Sequence, residues 1–377
     1  MNRKKILLQG YYGFGNLGDD ILLLVCYHNL KWHFPEAELV VFVNTEQTSS
    51  YLNGLLGENI RTINYSAREH FDFIVHGGGG VHYDYEHGNF LFSVLNRIIL
   101  NKPSWFTKLY QFYKVVKSKE NISTTYRIGL GIGVGTFTPS SRKFYTNVPL
   151  LNGYDYLQVR DSASVAAAIR YKTRVSPVVS TDLAFFSEYW HPSGLKKTVE
   201  PASKRIGMVL RYWKSNNDYV KETLDVAKSL RDRGFSITFF SFEKVYDTPY
   251  SKLVQDDFNL VEWPLESGNL SEFFARFCDH DLIVSSRFHG VILASTFGLP
   301  SIALKLDPKL STLKGILPES AQVLELEQIP TQLESLILAT FSDIQSWKES
   351  TLRDFERNNK IIHQGMDSVN TFIRERL

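Results

Sequence analysis

An apolar run, Asp281-Leu282-Ile283-Val284, closes on Ser285-Ser286-Arg287-Phe288-His289-Gly290. It leads into Val291–Gly298, a helical pattern that Gly298 stops, with Pro300 just beyond. A run this short, apolar at successive positions, reads as a strand buried on both faces, as in parallel sheets covered by helices. The unit recurs. Ile6–Gln9, Leu39–Val43, Phe71–His76, Arg127–Gly135, Asp155–Val159 and Val175–Val179 all read as strands separated by helical segments. So do Arg205–Leu210, 235–240 and Leu299–Leu304, with helices at 218–233 and about 268–278 among them. Such alternation predicts parallel α/β sheets. A chain of 377 residues exceeds one ordinary core, so two α/β domains are expected, 1–187 and 204–340. A linker with Pro192, Gly194 and Pro201 joins them, and a helical tail of mixed charge follows over 341–377.

Composition removes several functions. A formal net charge of +2 argues against a nucleic-acid binder. Cys26 and Cys278 lie in apolar helical patterns with no CxxC spacing, as buried thiols of a reducing compartment do. No run approaches the roughly 20 apolar residues of a membrane span. Met1–Lys5 is basic, but the apolar run after it is too short for a signal peptide, so a cytoplasmic protein is expected. Residues 88–119 interleave Trp105, Phe106, Tyr110 and Tyr113 with Lys102, Lys108, Lys114, Lys117 and Lys119. They read as a helix on the domain surface, or as peripheral contact with the inner face of a membrane.

Charged and glycine-rich loops follow the strands. Arg287 and His289 suit an anion and a proton, because ligands of open α/β sheets bind at the carboxyl ends of strands. Gly13-Phe14-Gly15-Asn16-Leu17-Gly18 is a formal GxGxxG, a weak match alone, and Asp19 and Asp20 after it would repel a diphosphate. Gly77-Gly78-Gly79-Gly80 after a strand would be entropically costly as a mere connector, which implies close approach to a ligand or a neighbouring loop. His76, His82 and His87 flank that run without the carboxylates or cysteines of a metal site, so no metal is expected. Arg160 ends another strand, ahead of a helix capped by Asp161 or Ser162.

These pieces, in this order, resemble the polysaccharide pyruvyl transferase family. The resemblance rests on Gly13–Asp19, Gly77–Gly80, Gly131-Ile132-Gly133, Val159-Arg160-Asp161, Thr181–Phe185, Ser286–Gly290 and Asp307-Pro308-Lys309, and spans about residues 6–310. It implies two Rossmann-like parallel-sheet domains facing across a cleft, similar to B-type glycosyltransferases. It also implies transfer of pyruvate from phosphoenolpyruvate to a saccharide, as a cyclic ketal across two hydroxyls, with no cofactor beyond that donor. Polysaccharide biosynthesis at the cell envelope, exopolysaccharide included, is the implied setting.

Phosphoenolpyruvate carries a carboxylate and a phosphate and needs at least two cations. Arg160, Arg287 and Lys309 are the expected binders, with Asn16, Gly78, Gly79 and Asp182 as further substrate contacts implied by the resemblance. His289 is the expected acid, Arg287 its catalytic neighbour, and Asp19, read as part of the first half, the base that accepts a hydroxyl proton from the opposite wall. Tyr11, Tyr12, Phe14, Tyr83 and Tyr85 suit stacking on a sugar, whether free, lipid-linked or nucleotide-linked. Two other readings stay open. One is a nucleotide-sugar glycosyltransferase, with Glu262 on the ribose; the other is a non-catalytic saccharide-binding protein. Oligomeric state leaves no mark on the sequence.

Overall fold

The computed structural model describes residues 3–43, 47–80, 82–83, 121–138, 141–192, 203–212, 218–264 and 269–377. The basic aromatic stretch 88–119, His87, Tyr85 and most of the expected linker lie outside the described residues. The chain divides into two compact units, each considered by itself. The first comprises Met1–Gly13, Leu22–Asp182 and Gln364–Leu377; the second comprises Phe14–Ile21 and Leu183–His363. Asp19, expected in the first half, therefore falls in the second unit, and the tail is shared between the two.

The first sheet contains β1 (Lys5–Gln9), β2 (Glu38–Phe42), β3 (Arg61–Ile63), β4 (Glu69–Gly77), β5 (Ile122–Ile132), β6 (Tyr156–Val159) and β7 (Val178–Val179). Helices α1 (Leu17–His33), α2 (Gln47–Leu56), α3 (Arg142–Asn152) and α4 (Ser162–Arg170) alternate with them. All pairs are parallel, in the order β3-β2-β1-β4-β5-β6-β7. Asp161 caps α4, its carboxylate accepting from Ser164 N at 2.7 Å, as expected from sequence. The expected strand Val175–Val179 shrinks to two residues on the sheet edge, because Pro177 has no N–H to give to a ladder. Cys26 is buried on α1, and burial pushes its thiol up to about 12.

The second sheet contains β8 (Arg205–Val209), β9 (Ser236–Ser241), β10 (Asn259–Glu262), β11 (Leu282–Ser285), β12 (Ser301–Lys305) and β13 (Gln322–Glu325). The accompanying helices are α5 (Asp218–Asp232), α6 (Lys244–Val254), α7 (Leu270–Cys278), α8 (Phe288–Thr296), α9 (Leu313–Ile316), α10 (Ile329–Ser342) and α11 (Ile344–Arg374), the last of which ends in the first unit. The order is β10-β9-β8-β11-β12-β13, again parallel. On one face of this sheet Ile206, Met208, Leu282, Val284, Ile302 and Leu304 pack with Tyr219, Leu224, Ala227 and Leu230 of α5 and Leu333 and Ile337 of α10. Each such aliphatic side chain contributes about 1.5–3 kcal/mol by leaving water. The α5 helix stops where Gly234 takes φ +85°, a conformation a Cβ would disfavour.

Both sheets follow the doubly wound order, which reverses between β1 and β4 and between β8 and β11. In an open sheet of this order, ligands bind outside the carboxyl ends of the strands where the order reverses. The two features singled out by sequence, the glycine loops and the Arg287/His289 loop, sit at these two reversals. Among the described residues, no helix is long and apolar enough to cross a membrane.

Candidate active site

The β11–α8 connection uses nearly every residue. Ser285 Oγ accepts from Arg287 N at 3.0 Å and donates to Arg287 O at 2.8 Å, closing a tight turn on itself. The helix can therefore start at Phe288, three residues before its apolar pattern suggests, and His289 lies in its first turn rather than in the loop. A Cβ on Gly290 would come within 2.1 Å of Ser285 Oγ, so the turn requires glycine there. Ser286 Oγ accepts from Arg211 N at 2.9 Å and lies 3.1 Å from Tyr219 Oη, joining the β8 and β11 loops across the reversal.

Arg287 turns inward. Its Nη1 donates to Glu243 Oε2 at 3.1 Å and its Nη2 to Asp247 Oδ1 at 2.6 Å, with all three side chains buried. Desolvation opposes its charge, but Asp247 and Glu243 outweigh it and hold the guanidinium above its ordinary pKa. Asp247 also accepts from Ser241 Oγ at 3.1 Å and Glu243 N at 3.2 Å, so the pair is hydrogen-bonded on both sides. An arginine neutralised in this way organises the loops and has little net charge to offer a substrate anion.

The positive corner lies beside it. Arg211, just past the end of β8, stands 3.9 Å from Asp307 Oδ2, and Lys309 Nζ stands 3.4 Å from the same oxygen. Asp307 caps the short turn that carries Lys309, accepting from Lys309 N at 3.0 Å. Two cations thus flank the Asp307 carboxylate, close to the N-terminus of α8, where the helix dipole also favours an anion. Arg211 was not singled out from sequence. Its strand-end position, equivalent to that of Arg287, was the available signal.

The second unit also contains the start of α1. Leu17 N donates to Phe242 O at 2.9 Å, and Asn16 Nδ2 donates to Glu243 Oε2 at 3.2 Å. The two adjacent carboxylates then part. Asp20 is fully buried and accepts from Trp263 Nε1 at 2.8 Å, an anchoring role. Asp19 keeps some exposed surface and stands among His289, Lys309, Glu243 and Arg211. Desolvation raises its pKa to about 6, with Glu243 adding to the rise and His289, Lys309 and Arg211 opposing it. Gly18 makes this approach possible: a Cβ there would lie 2.0 Å from His289 Nδ1. The structure therefore brings together Asn16, Asp19, Arg287, His289 and Lys309, and adds Arg211, Glu243, Asp247 and Asp307.

The remaining expected residues belong to the first unit. Arg160 is 1 % exposed, 3.2 Å from Asp161 and 3.7 Å from Asp182, and it lies over the Tyr83 ring at 5.7 Å. Desolvation works against its charge, but Tyr83, Asp182 and Asp161 hold its pKa above the ordinary value. Gly78 and Gly79 both take positive φ, and Gly78 N donates to Leu130 O at 2.7 Å while Gly79 O accepts from Gly133 N at 3.0 Å. The glycine run is thus paired with the end of β5 and the residue that follows it. His82, at its far end, bonds Asn147 at 2.8 Å and Tyr154 at 3.1 Å. Among the described residues, no three His, Cys, Asp or Glu side chains form a group that could hold a metal ion.

Residues 16–308 match the model of a family described as polysaccharide pyruvyl transferase. No curated protein matches the chain in sequence. Solved structures similar in fold include S. aureus MnaA with UDP, at 11 % identity and TM-score 0.60, with 94 % of each chain covered. Anabaena HepE with UDP-glucose aligns at 12 % identity and TM-score 0.56, covering 99 % of each chain. A glycosyltransferase of Rickettsia africae aligns at 12 % identity and TM-score 0.54, covering 100 % of this chain and 99 % of its own. In fold, the two parallel-sheet domains are therefore similar to those of B-type glycosyltransferases and UDP-GlcNAc 2-epimerases.

Proposed function

The chain belongs to the polysaccharide pyruvyl transferase family, and from that premise we propose that it transfers pyruvate from phosphoenolpyruvate to two hydroxyls of a saccharide as a cyclic ketal. The observation that supports this reading best is the juxtaposition of Asp19 and His289 with the Arg211–Lys309 corner at the reversal of the second sheet. The two cations take the phosphate and carboxylate of the donor. His289 delivers a proton to the methylene carbon. A saccharide hydroxyl oxygen bonds to the central carbon as its proton passes to Asp19. The bond to phosphate then breaks, and the second hydroxyl closes the ring. In the balance, one hydroxyl proton ends on the new methyl group and the other on the released phosphate. The cationic corner offsets charge on the departing phosphate. Arg287 acts by holding α8, and through it His289, in place. For the acceptor, Gly78 and Gly79, at the carboxyl end of a first-unit strand, are the candidates, whereas Arg160 and Asp182 are buried and paired with each other.

The fold's likeness to proteins solved with UDP or UDP-glucose favours a second reading, glycosyl transfer from a nucleotide sugar. Glu262, the expected ribose ligand in that case, is paired with Lys244 at 3.1 Å. One experiment separates the two. Purified protein is incubated with phosphoenolpyruvate, or with a UDP-sugar, and a panel of free, lipid-linked and nucleotide-linked saccharides. Phosphate release with a product mass matching a pyruvate ketal supports pyruvyl transfer; nucleoside diphosphate release with no use of phosphoenolpyruvate overturns it.

A further inference from the structure

We propose that Glu243 is the positioning residue of this site: its carboxylate ties Asn16, ahead of α1, to Arg287, at the head of α8, and so sets Asp19 against His289. A single oxygen, Oε2, accepts from both Asn16 Nδ2 at 3.2 Å and Arg287 Nη1 at 3.1 Å. The residue is 3 % exposed, so these bonds face little competition from water. Asn16 is held at its other end too, its Oδ1 accepting from Gly18 N at 3.1 Å. Next to Glu243, Phe242 O accepts from Leu17 N, which docks the same turn of α1 at a second point. From this clamp Asp19 lies three residues beyond Asn16, and His289 two residues beyond Arg287. The start of α1 packs so close to His289 that Gly18 cannot carry a side chain without meeting the imidazole. A small shift of the clamp therefore moves the two proton-handling groups relative to each other.

Glu243 has a second effect on Asp19. The charges acting on that carboxyl are His289, Lys309 and Arg211, which favour its ionised form, and Glu243, the one carboxylate among them, which opposes it. Neighbouring Asp20 is held by Trp263 instead. Glu243 thus keeps the proton on Asp19 to higher pH, in addition to holding it in place.

The catalytic consequence rests on the proposed roles of Asp19 and His289; the clamp itself can be tested without them. Glu243→Gln keeps the shape and removes the charge, and Glu243→Ala removes the clamp. The Asp19 carboxyl is followed by carbon NMR in protein labelled at aspartate, with Asp19→Asn assigning the signal. Amide exchange of 14–21 is followed by mass spectrometry, with β8 and β11 as internal controls. The expected result for Glu243→Gln is a fall of the Asp19 midpoint, on the order of half a pH unit or more. For Glu243→Ala, exchange over 14–21 should quicken at least about tenfold while β8 and β11 keep their protection. An unmoved Asp19 midpoint overturns the proposal, as does unchanged exchange in 14–21 or a rise matched by the control strands. If wild-type protein uses no phosphoenolpyruvate, the proposed function fails while these measurements still decide the clamp. If it does use it, the acid limb of its pH–rate profile should move down in Glu243→Gln.

Discussion

Asp247 Oδ1 accepts a hydrogen bond from Arg287 Nη2 at 2.6 Å, and both side chains are buried. This pair changes the part Arg287 plays. Read from sequence it is a cation awaiting a substrate anion, whereas in the fold it joins α8 to Glu243, at the head of α6, and to Asp247 within that helix. Removing it strands two buried negative charges, so Arg287→Ala should lose about 3–5 kcal/mol of stability, read by urea unfolding. A loss below about 1 kcal/mol would show that the guanidinium is not needed to balance the buried carboxylates.

Lys309 and Arg211 should behave in the opposite way. Both retain some exposure and share one acceptor, Asp307. Lys309→Ala and Arg211→Ala should leave the melting temperature within a few degrees of wild type, about 1 kcal/mol. Each should weaken phosphoenolpyruvate binding about tenfold or more, the worth of one charge-assisted hydrogen bond. Calorimetric titration gives the binding; unchanged affinity in both variants would remove the proposed donor corner.

Asp19 has a raised pKa, about 6, against about 4 for an unfolded aspartate. Below pH 4 both states hold the proton and ionisation costs nothing. Between pH 4 and 6 the folded protein holds it and the unfolded chain does not, so wild-type stability falls as pH rises through this window. Asp19→Asn escapes the penalty. It should match wild type near pH 3.5 and exceed it at pH 7 by on the order of 1–2 kcal/mol, allowing for solvent screening of a partly exposed group. Its transfer activity should fall sharply. Equal stability of the two proteins across this range would contradict the desolvated environment of Asp19.

Gly18 offers a steric test of the same pair. A methyl group there meets His289 Nδ1 at 2.0 Å, so Gly18→Ala must displace the imidazole or the start of α1. Displacement on the order of 1 Å at reacting groups costs about a hundredfold in rate. We expect kcat to fall by about that factor with a small change in stability, since alanine suits a first helical turn better than glycine. Near-normal kcat would show that the close contact of Gly18 with His289 has no bearing on the chemistry.

Much of this was legible in the residues alone. Apolar runs of four or five residues, broken by glycine and charge, specify buried parallel strands because burial on two faces tolerates few polar side chains. The loop Ser285–Gly290 and the glycine run 77–80 declared themselves by lying at strand ends. The short edge strands β3, β10 and β13 are not legible in the sequence, since a strand of three or four residues leaves no period to count. Sequence also singles out Arg160, Arg287 and Lys309 as candidate anion binders, without showing which of them already have carboxylate partners. Only the tertiary structure decided that Arg287 meets Glu243 and Asp247, that Arg160 meets Asp161 and Asp182, and that Asp19 rather than Asp20 stands near His289. Secondary structure follows from near neighbours along the chain, which a sequence records directly. The charge state and the role of an ionisable group follow from desolvation and from neighbours in space, which in this chain are contributed by segments as distant as residues 16–20, 211, 243–247, 287–289 and 307–309.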